Sequence, residues 1–321
     1  MADTTTPKAA WSSEKTFRAY TREQGDAYAQ NRRGYHPDLF RIVLDHHTST
    51  GGELNAILDV GCGPGTAVRG LAPHFRHAYG LDASEGMIST ARSLGGLTST
   101  SERIHFEVSS AEELGCHLSN PIADGSIDLI TAASAAHWFD LDGFWPRAAK
   151  VLKPGGTVAF WSGSSMRVRP TVPNAVAIQE AVTKIIDENL EQYLEAGNRL
   201  GRDLYINLPL PWTIDRPVAE FDETTFVRKE WNKGGDCAEN EEFFMGAQTL
   251  TLDMLEKALG TGSPITRWRQ AHPDAVGTEQ DIVRILRWEI ERLLHEAGVE
   301  PGKELIKGGV AGVLLMVKKK V

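Results

Sequence analysis

Cysteine is scarce: Cys62, Cys116 and Cys237 are the only three in 321 residues, and no two form a CxxC pair. An odd, scattered set argues against a disulfide framework and fits a reducing compartment. A basic excess is missing as well. Lys and Arg number 34 against 43 Asp and Glu, a net charge of −9. That balance argues against a nucleic-acid partner, which needs a basic face. No hydrophobic run is long: VAGVLLMV, from Val310 to Val317, is too short to span a bilayer. The opening MADTTTPKAAWSSEK has no apolar run of the kind a signal peptide needs. A cytoplasmic protein with no membrane partner is expected. His46 and His47 have no further ligands at metal-binding spacing, so no metal is expected. There is no Gly-Lys-Ser/Thr of a P-loop and no G-x-S-x-G elbow.

What is present is the ordinary material of a folded domain, 41% hydrophobic and 24% charged. Residues 1–14 read as a polar, mobile tail. Two helices are expected between Thr21 and His47, with Pro37 near the start of the second. Then strands and helices alternate: strands at 56–60, 77–82, 104–110, 126–134 and 157–164, helices at 66–75, 84–94 and 141–152. This rhythm predicts an α/β, doubly wound, mostly parallel sheet. After Ser165 the rhythm changes. A long helix is expected over 173–200, a strand over 221–231, helices over 240–259 and 278–297, and a last strand over 309–320. Residues 15–165 thus form N-terminal helices plus a Rossmann-like core. Residues 166–321 form a helical cap and substrate region with the last strands of the same sheet.

The stretch AILDVGCGPGTAVRGL (Ala56 to Leu71) runs a buried strand into Gly61, Gly63 and Gly65. In open parallel sheets ligands bind beyond the carboxyl ends of the strands, where glycines let the backbone come close. An acid, Asp59, precedes the turn, and the next strand ends in another, Asp82 in GLDAS. An acid there accepts hydrogen bonds from a ribose diol. The spacing is GxGxG rather than GxGxxG, which disfavours an NAD dehydrogenase but leaves it beside an adenosyl cofactor as a rival.

Further segments follow in order: SSAEEL after the third strand, AASAAHWFD at the fourth, VLKPGGTVAFW at the fifth. With LDVGCGPG and GLDAS they resemble class I S-adenosylmethionine-dependent methyltransferases over about Ala56 to Ser165. YAQNRRGYHP, HWFD and ITRWRQAHPD are similar to the trans-aconitate methyltransferase-like group, although Arg33 stands where that group has proline. The resemblance implies a seven-stranded methyltransferase sheet and S-adenosylmethionine as cofactor. It implies cofactor contacts from Tyr20, Tyr28, Arg32, Asp59, Gly61, Cys62, Gly63 and Asp82, with Gly65 in the same turn. Ala83, Met87, Ser110, Ala111, Glu112 and Ala133 would complete that site.

His137 and Trp138 follow the fourth strand and are the expected catalytic pair, His137 orienting the acceptor or taking a hydroxyl proton. The subgroup resemblance implies methyl ester formation on a small di- or tricarboxylic acid such as aconitate or fumarate. A carboxylate needs a cation rather than a base, and Arg199, Arg202 and Arg32 are the candidates. Tyr205, Trp161 and Trp268 are candidate pocket walls. The alternatives are an O-, N- or C-methyltransferase of a natural product, and a cofactor-binding regulatory protein without turnover.

Overall fold

The computed structural model describes residues 15–32, 34–232 and 248–321. The expected tail at 1–14, Arg33, Cys237 and the 240–247 part of an expected helix lie outside the described residues. A ten-residue helix α1 (Arg22–Asn31) and α2 (Pro37–Ser49) lead in. Five strands then alternate with helices: β1 (Ala56–Val60), α3 (Thr66–Leu71), β2 (His77–Asp82), α4 (Glu85–Leu94), β3 (His105–Val108), β4 (Ile127–Ala133), α5 (Leu141–Val151) and β5 (Leu152–Val168). The cap and sheet closure follow: α6 (Ala175–Leu190), α7 (Ala196–Arg202), β6 (Phe221–Trp231), β7 (Gln248–Thr251), α8 (Leu252–Leu259), α9 (Ser263–Ala271), α10 (Ile282–Glu296) and β8 (Leu305–Lys319).

The strand order is β3-β2-β1-β4-β5-β8-β6, with β7 pairing the start of β8. β1 to β5 pair in parallel, and β8 runs antiparallel between β5 and β6. This is the Rossmann-like methyltransferase fold, with one short strand, β7, beyond the seven expected. β1 is buried throughout because helices cover both faces. Its side chains alternate between two cores. Leu58 and Val60 join Ile130, Phe144 and Phe160 on one face. Ile57 joins Val68, Phe75, Leu129 and Trp161 on the other.

Three expectations change in the cap. The helix expected over 173–200 is two helices, because the chain turns at 191–195 to lay α7 on the segment after β4. A Cβ on Gly197 would lie 2.5 Å from the Trp138 ring, so only glycine permits that contact. Within the helix expected over 240–259, the described residues 248–251 are strand β7 and α8 starts at Leu252, where the Thr251 hydroxyl accepts from the Met254 N–H. β5 is longer than expected. Beyond a bulge between Gly163 and Met166 it continues with β8 as a ribbon into the cap. Apolar clusters from α6, α8, α9 and α10 pack around that ribbon.

Candidate active site

The strand order reverses between β2-β1 and β4, and a cavity of about 790 Å³ opens there at the carboxyl ends of the strands. The turn after β1 forms its floor. Gly61 has φ +62°, and a Cβ there would stand 2.6 Å from the Ala135 side chain. Gly63 has φ +53°, and a Cβ there would meet nothing within 4 Å except the cavity. Asp82 ends β2. Its carboxylate accepts the Gly63 N–H and the Ser84 N–H, both at 2.8 Å. Asp82 thereby sits on the wall beside the glycine turn.

Many residues singled out from the sequence meet on this wall. Gly61, Cys62, Gly63, Asp82, Ala83 and Met87 come from the β1 and β2 ends. Ala111, Glu112, Ala133, His137 and Trp138 come from the segments after β3 and β4. Tyr28 and Arg32 reach the wall from α1 and its end, with the Arg32 guanidinium 5.3 Å from the Tyr28 ring centre. The Glu112 carboxylate accepts the Asp140 N–H at 2.9 Å. Arg202 lies on the wall and pairs with Glu191 at 3.3 Å.

The others stand elsewhere. Asp59 is fully buried beneath the turn. One of its oxygens accepts the Thr131 hydroxyl at 2.6 Å, and the other has no hydrogen-bond partner among the described residues. Burial pushes its carboxyl up to about 7. Tyr20 packs on Phe17 and Tyr28 and meets Thr266 at 3.5 Å. Ser110 and Arg199 are off the wall, and Arg199 pairs with Glu191. Trp161 is buried in the core under Tyr35, with ring centres 5.5 Å apart. Tyr205 is buried behind His137, its hydroxyl 2.8 Å from Nδ1. Trp268 is buried in the cap. Burial pulls the His137 imidazole down to about 3, so the ring is neutral at physiological pH.

The sequence did not reveal Tyr35 and Ser134, which share the wall. The Tyr35 hydroxyl donates to Ser134 Oγ at 3.3 Å, and Ser134 sits at φ +54° just past β4. Strained non-glycine backbone of this kind clusters at functional sites. Both stand inside segments that carry the resemblance, Tyr35 in YAQNRRGYHP and Ser134 in AASAAHWFD, but no role was drawn from either. Nor did it reveal how the N-terminal segment covers the cavity. Phe17 packs edge-on against Tyr28 and Trp138 at 6.1 Å, and Arg267 of α9 donates to Thr16 Oγ1 at 2.9 Å.

A family model described as a methyltransferase domain matches residues 58–160. The probable S-adenosylmethionine-dependent methyltransferase CRG1 of Saccharomyces cerevisiae is 23% identical over 279 residues, 84% of this chain and 87% of that protein. The methyltransferase cfoB of Aspergillus candidus is 30% identical over 222 residues, 68% of this chain and 64% of that protein. A solved structure from Anaeromyxobacter dehalogenans shares the fold at TM-score 0.57 and 22% identity, covering 90% of this chain and 97% of that one. With the sheet and the glycine turn, these matches identify a class I enzyme of the Rossmann-like kind. The chain is an S-adenosylmethionine-dependent methyltransferase. The cavity suits that cofactor: the cradle over Gly63 is space that a Cβ would fill, and Asp82 offers a carboxylate at its edge.

Proposed function

We propose that the enzyme methylates a hydroxyl of a largely apolar, uncharged small molecule. When bound, the cofactor supplies an electrophilic methyl group on a sulfonium. In this reading Gly61 and Gly63 underlie its methionine portion, Asp82 accepts its ribose hydroxyls, and Met87 and Ala111 flank its adenine. The acceptor occupies the cap side. Side chains such as Met166, Leu190, Leu255 and Ile265 line that side, and they exclude water and align the acceptor.

The observation that carries this is where the charges lie. The cations on the described wall are Arg18, Arg32, Arg202 and Lys257, and all four are exposed. No buried cation lines the described wall, so an anionic acceptor would lose its hydration there without a buried counter-charge. Calorimetry on protein loaded with S-adenosylhomocysteine tests the point. Naphthol is expected to bind and citrate not; citrate binding with naphthol inert would overturn it.

Methyl ester formation on a di- or tricarboxylic acid such as aconitate or fumarate is the second reading, and Arg202 on the wall favours it. We also propose a division at about residue 165 into cofactor-binding and substrate regions, and a cytoplasmic setting, supported by free Cys62 and Cys116.

A further inference from the structure

We propose that Glu291, His295 and Glu304 bind one zinc ion, which ties α10 to the start of β8. The three stand apart from the cavity wall. Each offers one ligand atom, and the three atoms lie within 4.8 Å of one another. Glu291 and His295 are four residues apart in α10, one turn along the same helix face. Glu304 immediately precedes β8. The turns after α10 separate it from the other two in sequence, so only the fold brings the set together.

Two of the three are already assembled. His295 Nε2 lies 2.7 Å from Glu304 Oε1. Both Glu304 oxygens accept the Gly302 N–H at 3.0 Å, which fixes the carboxylate. Its side chain is only 11% exposed. Outer contacts of this kind orient a ligand before the metal arrives. Glu291 is what a simple His–Glu pair leaves unexplained. It is half-buried and has no hydrogen bond or ion pair among the described residues. Its helix neighbours Glu289 and Glu296 are both engaged by Arg292. A carboxylate held beside a second carboxylate, with one imidazole between two acids, is a place where a cation lowers the energy.

The donor set selects the metal. One imidazole and two carboxylates suit zinc. Calcium takes roughly six to eight oxygens, and magnesium an octahedral oxygen shell, so neither suits a histidine site with three ligands. Around a tetrahedral zinc the ligand atoms stand about 3.3 Å apart. The His295–Glu304 contact has only to open to that distance from 2.7 Å. The ion takes the place of the proton held between the two side chains, and that proton leaves to solvent. A water completes the fourth position. Leu286 of α10 and Gly308, Gly309 and Val310 of β8 are on the cavity wall. A zinc bridge therefore holds two elements of the cap side together without touching the reacting atoms, so its role is structural.

Calorimetry on the tag-free full chain, stripped with chelator and titrated with zinc chloride, tests the site. One equivalent should bind with micromolar affinity or tighter. At a hundredfold excess over its dissociation constant, zinc should raise Tm by about 4 °C. Glu291→Gln is the decisive variant, because it removes a ligand and no existing contact. Its zinc-free Tm should match the wild type, while zinc affinity falls at least about tenfold. His295→Ala should abolish the binding, and with cobalt in place of zinc it should lose the visible absorption of a low-coordinate ion. Absence of zinc binding would overturn the proposal. So would binding that Glu291→Gln leaves unmoved, which would assign the ion to the His295–Glu304 pair alone or to others of the ten histidines. Calcium or magnesium binding as tightly as zinc would contradict the choice of metal.

Discussion

Asp59→Asn isolates one titrating group beneath the glycine turn. The Asp59 side chain is fully buried, and burial raises its carboxyl from 3.8 to about 7. A raised acid favours the protonated form in the folded state. The folded protein therefore holds a proton that the unfolded chain has already released. Its stability contribution is fully present below about pH 4 and is lost as pH rises from there through about 7. Over the whole interval the gap is worth about 4 kcal/mol, and between pH 5 and pH 8 about 3 kcal/mol. Asparagine keeps an oxygen for the Thr131 hydroxyl but cannot titrate. Its amide N–H₂ replaces the unpartnered oxygen, which costs about 1–3 kcal/mol at every pH. That constant offset drops out of a comparison across pH. Urea unfolding of both proteins at pH 5 and pH 8, with matched slopes, gives the double difference. The wild type should lose about 3 kcal/mol more than the variant on going to pH 8. A difference that does not change with pH would refute the reasoning, because it would mean Asp59 is ionised in the fold at pH 5.

Gly63→Ala puts a methyl group into the open cradle at a left-handed position. It should cost about 1 kcal/mol of stability and weaken S-adenosylmethionine binding at least about tenfold, read by calorimetry. Arg202→Ala separates the two acceptor readings: kcat/KM for a neutral hydroxyl acceptor should hold within about twofold, whereas a carboxylate acceptor would lose about tenfold or more. Arg267→Ala removes the donor to Thr16, Asn198 and the Tyr193 carbonyl. Losing these charged hydrogen bonds should cost about 2 kcal/mol and loosen the backbone around Thr16, seen as faster tryptic cleavage at the already exposed Arg18.

The parts that were legible in the sequence are those whose cause is local. AILDV must be a strand buried on both faces, because five residues in a row carry almost no surface for water. Gly61, Gly63 and the acid of GLDAS stand where a ligand approaches backbone. They come together because parallel pairing aligns Asp59 with Gly80 and Val60 with Leu81. What stayed hidden depends on distant partners. Arg199 and Arg202 look like carboxylate clamps until Glu191, on the far side of an unforeseen turn, pairs with both. Tyr35 gains a role only through Ser134, 99 residues away. Trp161 reads as a pocket wall, but β-strand alternation turns it into the core. Tyr205 reads the same way until two left-handed residues carry it behind His137.

The most direct test of the account is transfer from methyl-labelled S-adenosylmethionine to a panel of naphthols, hydroxyquinolines, citrate and aconitate, followed by mild base. Label is expected on the neutral aromatic hydroxyls, where it survives the base, and none on the acids. Base-labile label on citrate or aconitate would contradict it and make Arg202 the centre of the site.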